Sequence, residues 1–140
     1  MKPLLFLLLP VLFFLSCKRG FVGEQQLEGT WKMVKVLENN TGRLHFPPSN
    51  SKDLQISFQS TTATTGALSG FTPTNEIFPS NYTQTAERTL SIPALNRTKV
   101  AENPWGALFV DHITSARRYH FKSGQLWITT ANMQLVFRRP

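Results

Sequence analysis

Short stretches in which apolar and polar residues alternate recur along this 140-residue chain, and one stretch breaks that rhythm with helical spacing. Few folds satisfy both features. Leu54, Ile56 and Phe58 alternate with Gln55, Ser57 and Gln59, the pattern of a half-buried antiparallel strand. Trp31 and Met33 flank Lys32, and Val34 and Val36 flank Lys35, which predicts a strand carrying a bulge. Residues 67–70 predict a further strand, and residues 89–94, with Pro93 inside, predict an edge or strand end. Tyr119 and Phe121 lead through Lys122-Ser123-Gly124 to Leu126 and Ile128, a hairpin, and Met133, Leu135 and Phe137 form a last strand. Residues 71–82 hold two prolines and two asparagines and are expected to be an ordered loop.

The helical stretch opens on Asn103, a good N-cap, with Pro104 at the first helical position. Trp105, Leu108, Phe109, His112, Ile113 and Ala116 follow at helical spacing, and Arg117 and Arg118 fall in the expected last turn. The spacing predicts a helix over about 104–118. Its inward face should hold Leu108, Phe109, Ile113 and Ala116, with His112 as a hydrogen-bonded core histidine. Strands, one helix, then strands give an α+β fold: an antiparallel, partly barrel-like sheet packed on a single helix. Residues 27–140 form one domain.

The N-terminus is built differently. Lys2 precedes an unbroken apolar run over residues 4–15, about twelve residues, where a bilayer span needs ~20. That length fits the core of a secretory leader. Ser16-Cys17 ends it, and a small residue directly before cysteine resembles the bacterial lipobox. Phe14 and Leu15 depart from the commonest lipobox residues, as they do in Bacteroidetes-type lipoproteins. The expected processing removes residues 1–16, puts lipid such as palmitate on Cys17 and leaves residues 17–26 as a tether. Cys17 is the chain's one cysteine, so an intrachain disulfide is impossible, and acylation would consume a thiol that is awkward in an oxidising envelope. The expected location is the bacterial envelope, on the outer membrane facing the periplasm. The alternative is an ordinary secretory leader followed by a chance cysteine.

The formal charge is +7, but the basic residues are spread, clustering only as Lys18-Arg19, Arg117-Arg118 and Arg138-Arg139. Nucleic acid is not expected as a partner. Attraction to anionic lipid or lipopolysaccharide is the alternative to plain solvated charge. No catalytic constellation stands out. Ser69 in Gly66-Ala67-Leu68-Ser69-Gly70 is one place late for a nucleophile elbow. His45, His112 and His120 lie in no metal-binding frame, and the carboxylates are scattered. No enzyme, metal or cofactor is expected. Trp31, Trp105 and Trp127 are expected to be core aromatics, with a ligand pocket as the other reading.

From Leu27 onward the chain resembles the META domain of HslJ-type heat-inducible envelope proteins. The resemblance rests on Leu27-x-Gly29-Thr30-Trp31, Leu54-x-Ile56-x-Phe58, Ser69-Gly70 followed by Asn75 and Tyr82, and Leu90-x-Ile92. It continues through Thr98-x-Val100-Ala101, the helix residues Phe109 and Ile113, Tyr119, Gly124-x-Leu126-x-Ile128 and Leu135-x-Phe137. It departs where the family has Gly-Cys-Asn and this chain Pro73-Thr74-Asn75, where the family has Ala-Cys and this chain Ala101-Glu102, and where Gly106 replaces a glutamate. Both cysteine places are empty, which removes any redox or disulfide role. The resemblance implies an α+β fold and a non-enzymatic envelope role tied to stress and antibiotic tolerance. Asn75, in the signature loop, is the candidate binding residue, with a turn-fixing role as its alternative.

The rival comes from Gly29-Thr30-Trp31, which also resembles the G-x-W opening of lipocalin-like barrels that bind small apolar ligands. Lipocalins place their main helix after eight strands; here three strands are expected after it. A small-barrel protease inhibitor shares the G-x-W feature but has no visible reactive loop.

Overall fold

The computed structural model describes residues 25–140. The leader, Cys17 and most of the tether lie outside the described residues.

Nine antiparallel strands form one sheet: β1 (Gly29–Glu38), β2 (Leu44–His45), β3 (Gln55–Ser60), β4 (Thr65–Phe71), β5 (Glu76–Gln84), β6 (Leu90–Ser91), β7 (Arg118–Lys122), β8 (Gln125–Thr129) and β9 (Met133–Arg138). The path runs β6-β5-β4-β3-β1-β9-β8-β7, with β2 added beside β1. The two ends of the path meet. Leu90 N–H donates to Arg117 O at 3.0 Å, Tyr119 N–H donates to Arg88 O at 3.0 Å, and Thr89 bridges Arg118. The sheet therefore closes into a barrel of eight strands in up-and-down order, with one short helix, α1 (Pro104–Val110), between β6 and β7. Closure leaves no long unpaired edge.

Alternation decides what fills the barrel. Trp31 and Met33 of β1, Ile56 and Phe58 of β3, Leu126 and Ile128 of β8, and Leu135 and Phe137 of β9 all point inward and are buried. Eight strands leave an interior just wide enough for side chains or one small ligand, and here side chains fill it. Tyr82 meets Phe58 edge-on, at 5.1 Å between centroids, and its hydroxyl lies 3.3 Å from Ser60 Oγ. The expected bulge in β1 falls between Met33 and Lys35.

Each end of the barrel is closed in its own way. At one rim β1 begins and β9 ends. There the Arg139 guanidinium lies 3.7 Å from the Trp31 ring centroid and donates to the carbonyls of Gln26, Glu28 and Thr30. Gly29 has φ +111°, a conformation that favours glycine, and a side chain there would also displace that guanidinium. At the other rim α1 acts as a plug. Phe109 is fully buried and meets Phe137 edge-on at 6.4 Å. The flanks of α1 are tied to the loops around that rim, by Asn103 Nδ2 donating to Ser51 Oγ and Ala131 N–H donating to Ser115 Oγ.

Two expectations need correction. The helix is Pro104–Val110, followed by a 3-10 turn at Ile113–Ser115, and stops short of 118. Asn103 caps it as expected, its Oδ1 accepting from Gly106 N–H at 2.7 Å. It ends early because residues 117 and 118 are needed to seal the barrel: Arg117 N–H donates to Thr129 O while Arg117 O accepts from β6. Arg117 and Arg118 therefore cap no helix. His112, at the junction with the 3-10 turn, is only half-buried, as are Leu108 and Ala116, while Phe109 and Ile113 are fully buried. Second, the stretch 71–82 is a loop only at residues 72–75; Phe71 ends β4, and β5 takes up residues 76–82. Pro79 fits because the register shifts there. Leu68 faces Ser80 and Gly70 faces Ile77, so Phe78 and Pro79 together oppose Ser69 in a bulge, where no ladder N–H is required of proline.

Candidate functional site

The densest polar cluster lies at the helix-plugged rim. Thr72 and Asn75 belong to the β4–β5 turn, and Glu102 ends a strap, residues 95–102, that runs antiparallel along the edge of β5, bonded to it through Phe78 N–H to Asn96 O and Thr98 N–H to Glu76 O, and leads into α1. Asn75 is 3% exposed. Its Nδ2 donates to Val100 O at 2.8 Å and to Glu102 Oε1 at 2.6 Å. Its Oδ1 accepts from Thr98 Oγ1 and Val100 N–H, both at 2.8 Å. An amide has two donor hydrogens and two acceptor lone pairs, and these four bonds use them all. Glu102 also accepts from Thr72 Oγ1 at 2.8 Å and Thr74 Oγ1 at 2.6 Å. Gly106 leaves room for that carboxylate, which a side chain there would strike. Lower on the strap, Asn96 N–H donates to Ser80 Oγ at 2.8 Å. The cluster is a fastening: it fixes the strap and the entry to α1 against β5. Asn75→Ala removes four bonds made by a buried amide and leaves the half-buried Thr98 and Glu102 without it, so it is expected to cost about 2–4 kcal/mol. Urea unfolding measures this, and a loss below ~0.5 kcal/mol would show that the amide fastens nothing.

Beside the fastening runs an open groove of about 840 Å³, between the strap and α1. Phe78, Leu95, Val100 and Val110 give it apolar surface, while Arg97, Lys99 and Asp111 edge it with charge. Phe78 and Val100 are 44% and 57% exposed, high for large apolar side chains. A second concavity, about 630 Å³, lies at the opposite rim between residues 25–28 and the turns after β3 and β5.

Trp31 and Trp105 are buried core aromatics, as expected. Trp127 is not. It alternates with buried Leu126 and Ile128 and faces outward from β8. His120 of β7 stacks on its ring at 5.8 Å, and the ammonium groups of Lys35 and Lys122 lie 5.1 and 5.7 Å from its centroid. Burial first, then the charges of Lys122 and Arg88, hold the His120 imidazole below the usual histidine range. The sequence reading missed this grouping because Lys35 lies far along the chain from the others and only the strand register brings it to Trp127. The alternating Arg118-x-His120-x-Lys122 was the signal for it. Elsewhere Glu38 is held below the usual carboxylate range by hydrogen bonds from Thr41 and His45. Among the described residues no three His, Cys, Asp or Glu side chains converge as metal ligands, and no helix is long and apolar enough to cross a membrane.

No family profile and no curated protein matches the chain. Among solved structures it is similar to a DUF4847 family protein from Bacteroides vulgatus. That similarity has a TM-score of 0.54 and 18% identity, and covers 81% of this chain and 93% of the other. It is a likeness of fold.

Proposed function

We propose that the chain is a non-catalytic envelope lipoprotein whose META-like domain serves as a binding or structural module. One observation supports the domain reading. Three of the four places where the sequence departs from the META pattern, residues 74, 102 and 106, are neighbours in space, and the fourth, Pro73, adjoins Thr74. Thr74 Oγ1 donates to Glu102 Oε2 at 2.6 Å, and Gly106 lies against the same carboxylate. The two places that hold cysteine in the family are thus joined here by a hydrogen bond. The glutamate missing at 106 has its counterpart in Glu102, reaching the same spot from the strap. Departures scattered by chance would have no reason to meet.

The test is a double substitution, Thr74→Cys with Glu102→Cys, made alongside Cys17→Ala. In oxidising buffer the two new thiols are expected to cross-link, the disulfide holding the strap in place of the carboxylate lost with Glu102, and titration of free thiols reads the outcome. Thiols that stay free would sink the correspondence, because a disulfide needs its Cβ atoms within about 4.5 Å. A non-catalytic role is supported by the fastening itself, since Asn75 and Glu102 spend their polar atoms on the fold. A role in stress or antibiotic tolerance follows from the resemblance alone.

A second reading, a lipocalin-like binder of a small apolar ligand, is favoured by the closed eight-stranded up-and-down path. With the interior filled, its ligand would occupy the groove beside α1.

A further inference from the structure

The outward side chains of β7, β8, β9 and β1 form rows that the strand register fixes. One row crosses Lys35, Val136, Trp127 and His120. The next, nearer the rim where β1 begins, crosses Lys32, Arg138, Gln125 and Lys122. Arg118 stands on the far side of the first row, opposite Thr129. Five cations and one histidine therefore share one wall, and no outward position in these rows is a carboxylate. The nearest acids lie at the border: Asp53 pairs with Lys32 at 2.6 Å, and Glu38 is engaged by Thr41 and His45. At the centre, two ammonium groups and an imidazole gather on the Trp127 ring. Its Nε1–H is covered and has no hydrogen-bond acceptor. Among the described residues no carboxylate forms an ion pair with either ammonium, so both remain open to an anion.

We propose that this wall, centred on Trp127, docks on the anionic headgroups of the membrane that carries the Cys17 lipid. The proposal rests on the lipoprotein reading only for which membrane is met. Three observations favour a headgroup surface over other polyanions. The wall extends over four neighbouring strands rather than along a single line. Its chemistry, an indole among lysines and arginines, is that of side chains at the membrane–water interface. The row of Lys32, Arg138 and Lys122 borders the rim from which the chain leads back to Cys17. Gly29 lies twelve positions after Cys17, and at ~3.3–3.6 Å per step these reach about 40 Å at most. An anchored barrel is thus held within reach of the headgroups, where each Lys or Arg raises attraction about fivefold.

The test uses the full chain carrying Cys17→Ala, so that no acyl chain contributes, and measures cosedimentation with vesicles. Phosphatidylcholine vesicles containing a quarter phosphatidylglycerol are compared with pure phosphatidylcholine, which cancels the contribution of the apolar leader. The background chain is expected to prefer the anionic vesicles. Lys35→Gln with Lys122→Gln and Arg138→Gln should cut that preference about 100-fold, with the melting curve showing that the barrel is intact. If the triple variant does not fold, Lys122→Gln alone, on an exposed hairpin residue, should cut it about fivefold. Arg97→Gln with Lys99→Gln, beside the strap, should leave it unchanged. An undiminished preference in the wall variants overturns the proposal. So does single-stranded DNA that displaces the chain from vesicles at equal phosphate concentration, because the wall would then favour nucleic acid. Failure of Cys17 to carry lipid leaves this measurement untouched.

Discussion

Intact-mass analysis of the native protein is expected to show a chain beginning at residue 17 and carrying the mass of acyl chains, and Cys17→Ala is expected to abolish that mass entirely. The argument is one of lengths and chemistry. The apolar run over residues 4–15 is too short to span a bilayer but suits a leader, and Ser16-Cys17 closes it. A single acyl chain binds membranes only marginally. The bacterial modification supplies a diacylglycerol and usually a further amide-linked chain, enough for stable anchoring. Fractionation should therefore place the native protein wholly with membranes, while the variant is either released or held back unprocessed. An unmodified mature chain would overturn the lipoprotein reading and leave a plain secreted barrel.

Phe109→Ala is expected to destabilise the barrel by about 3–5 kcal/mol, the range for deleting a buried aromatic ring. Phe109 is 0% exposed and touches Phe137, which itself lies between Met33 and Leu126 across the sheet. Rigid strands bonded on both sides cannot collapse into the space left behind, so the cavity term is not relieved. Marginal domains hold only 5–15 kcal/mol in reserve, and the variant would melt tens of degrees earlier or fail to fold. Urea unfolding with an unchanged slope gives the number. A loss below ~0.5 kcal/mol would mean that α1 does not plug the barrel.

The strands that were legible in the sequence are those with one face on the core and one in water. In β3, Ile56 and Phe58 are buried while Gln55 and Gln59 are not, and the letters alternate accordingly. The same holds for β7, β8 and the bulged β1. β5 was hidden because Pro79 and Asn81 read as loop residues. What admits Pro79 is the bulge opposite Ser69, which depends on the partner strand and is invisible locally. The helix start was legible because capping is chemistry within four residues. Its end was not, because it is set by the need of residues 117 and 118 to bond β6 and β8. The cluster of Asn75, Thr98 and Glu102 and the basic wall were out of reach for one reason. Each joins residues more than twenty positions apart, and only the register says which of them meet.

The pairing of β1 with β9 also governs when this molecule can become folded. Lys32 finds Arg138, and Met33 finds Phe137, so the ring cannot close until β9 has been made. Closing a loop of roughly one hundred residues is an entropic search, and folds built from such distant pairings form in milliseconds to seconds rather than microseconds. A chain made N-terminus first thus has no closed state available while it is incomplete: β1 lacks its partner, and residues 26–30 lack Arg139. For a chain proposed here to be exported, that dependence leaves the barrel open for as long as β9 is missing.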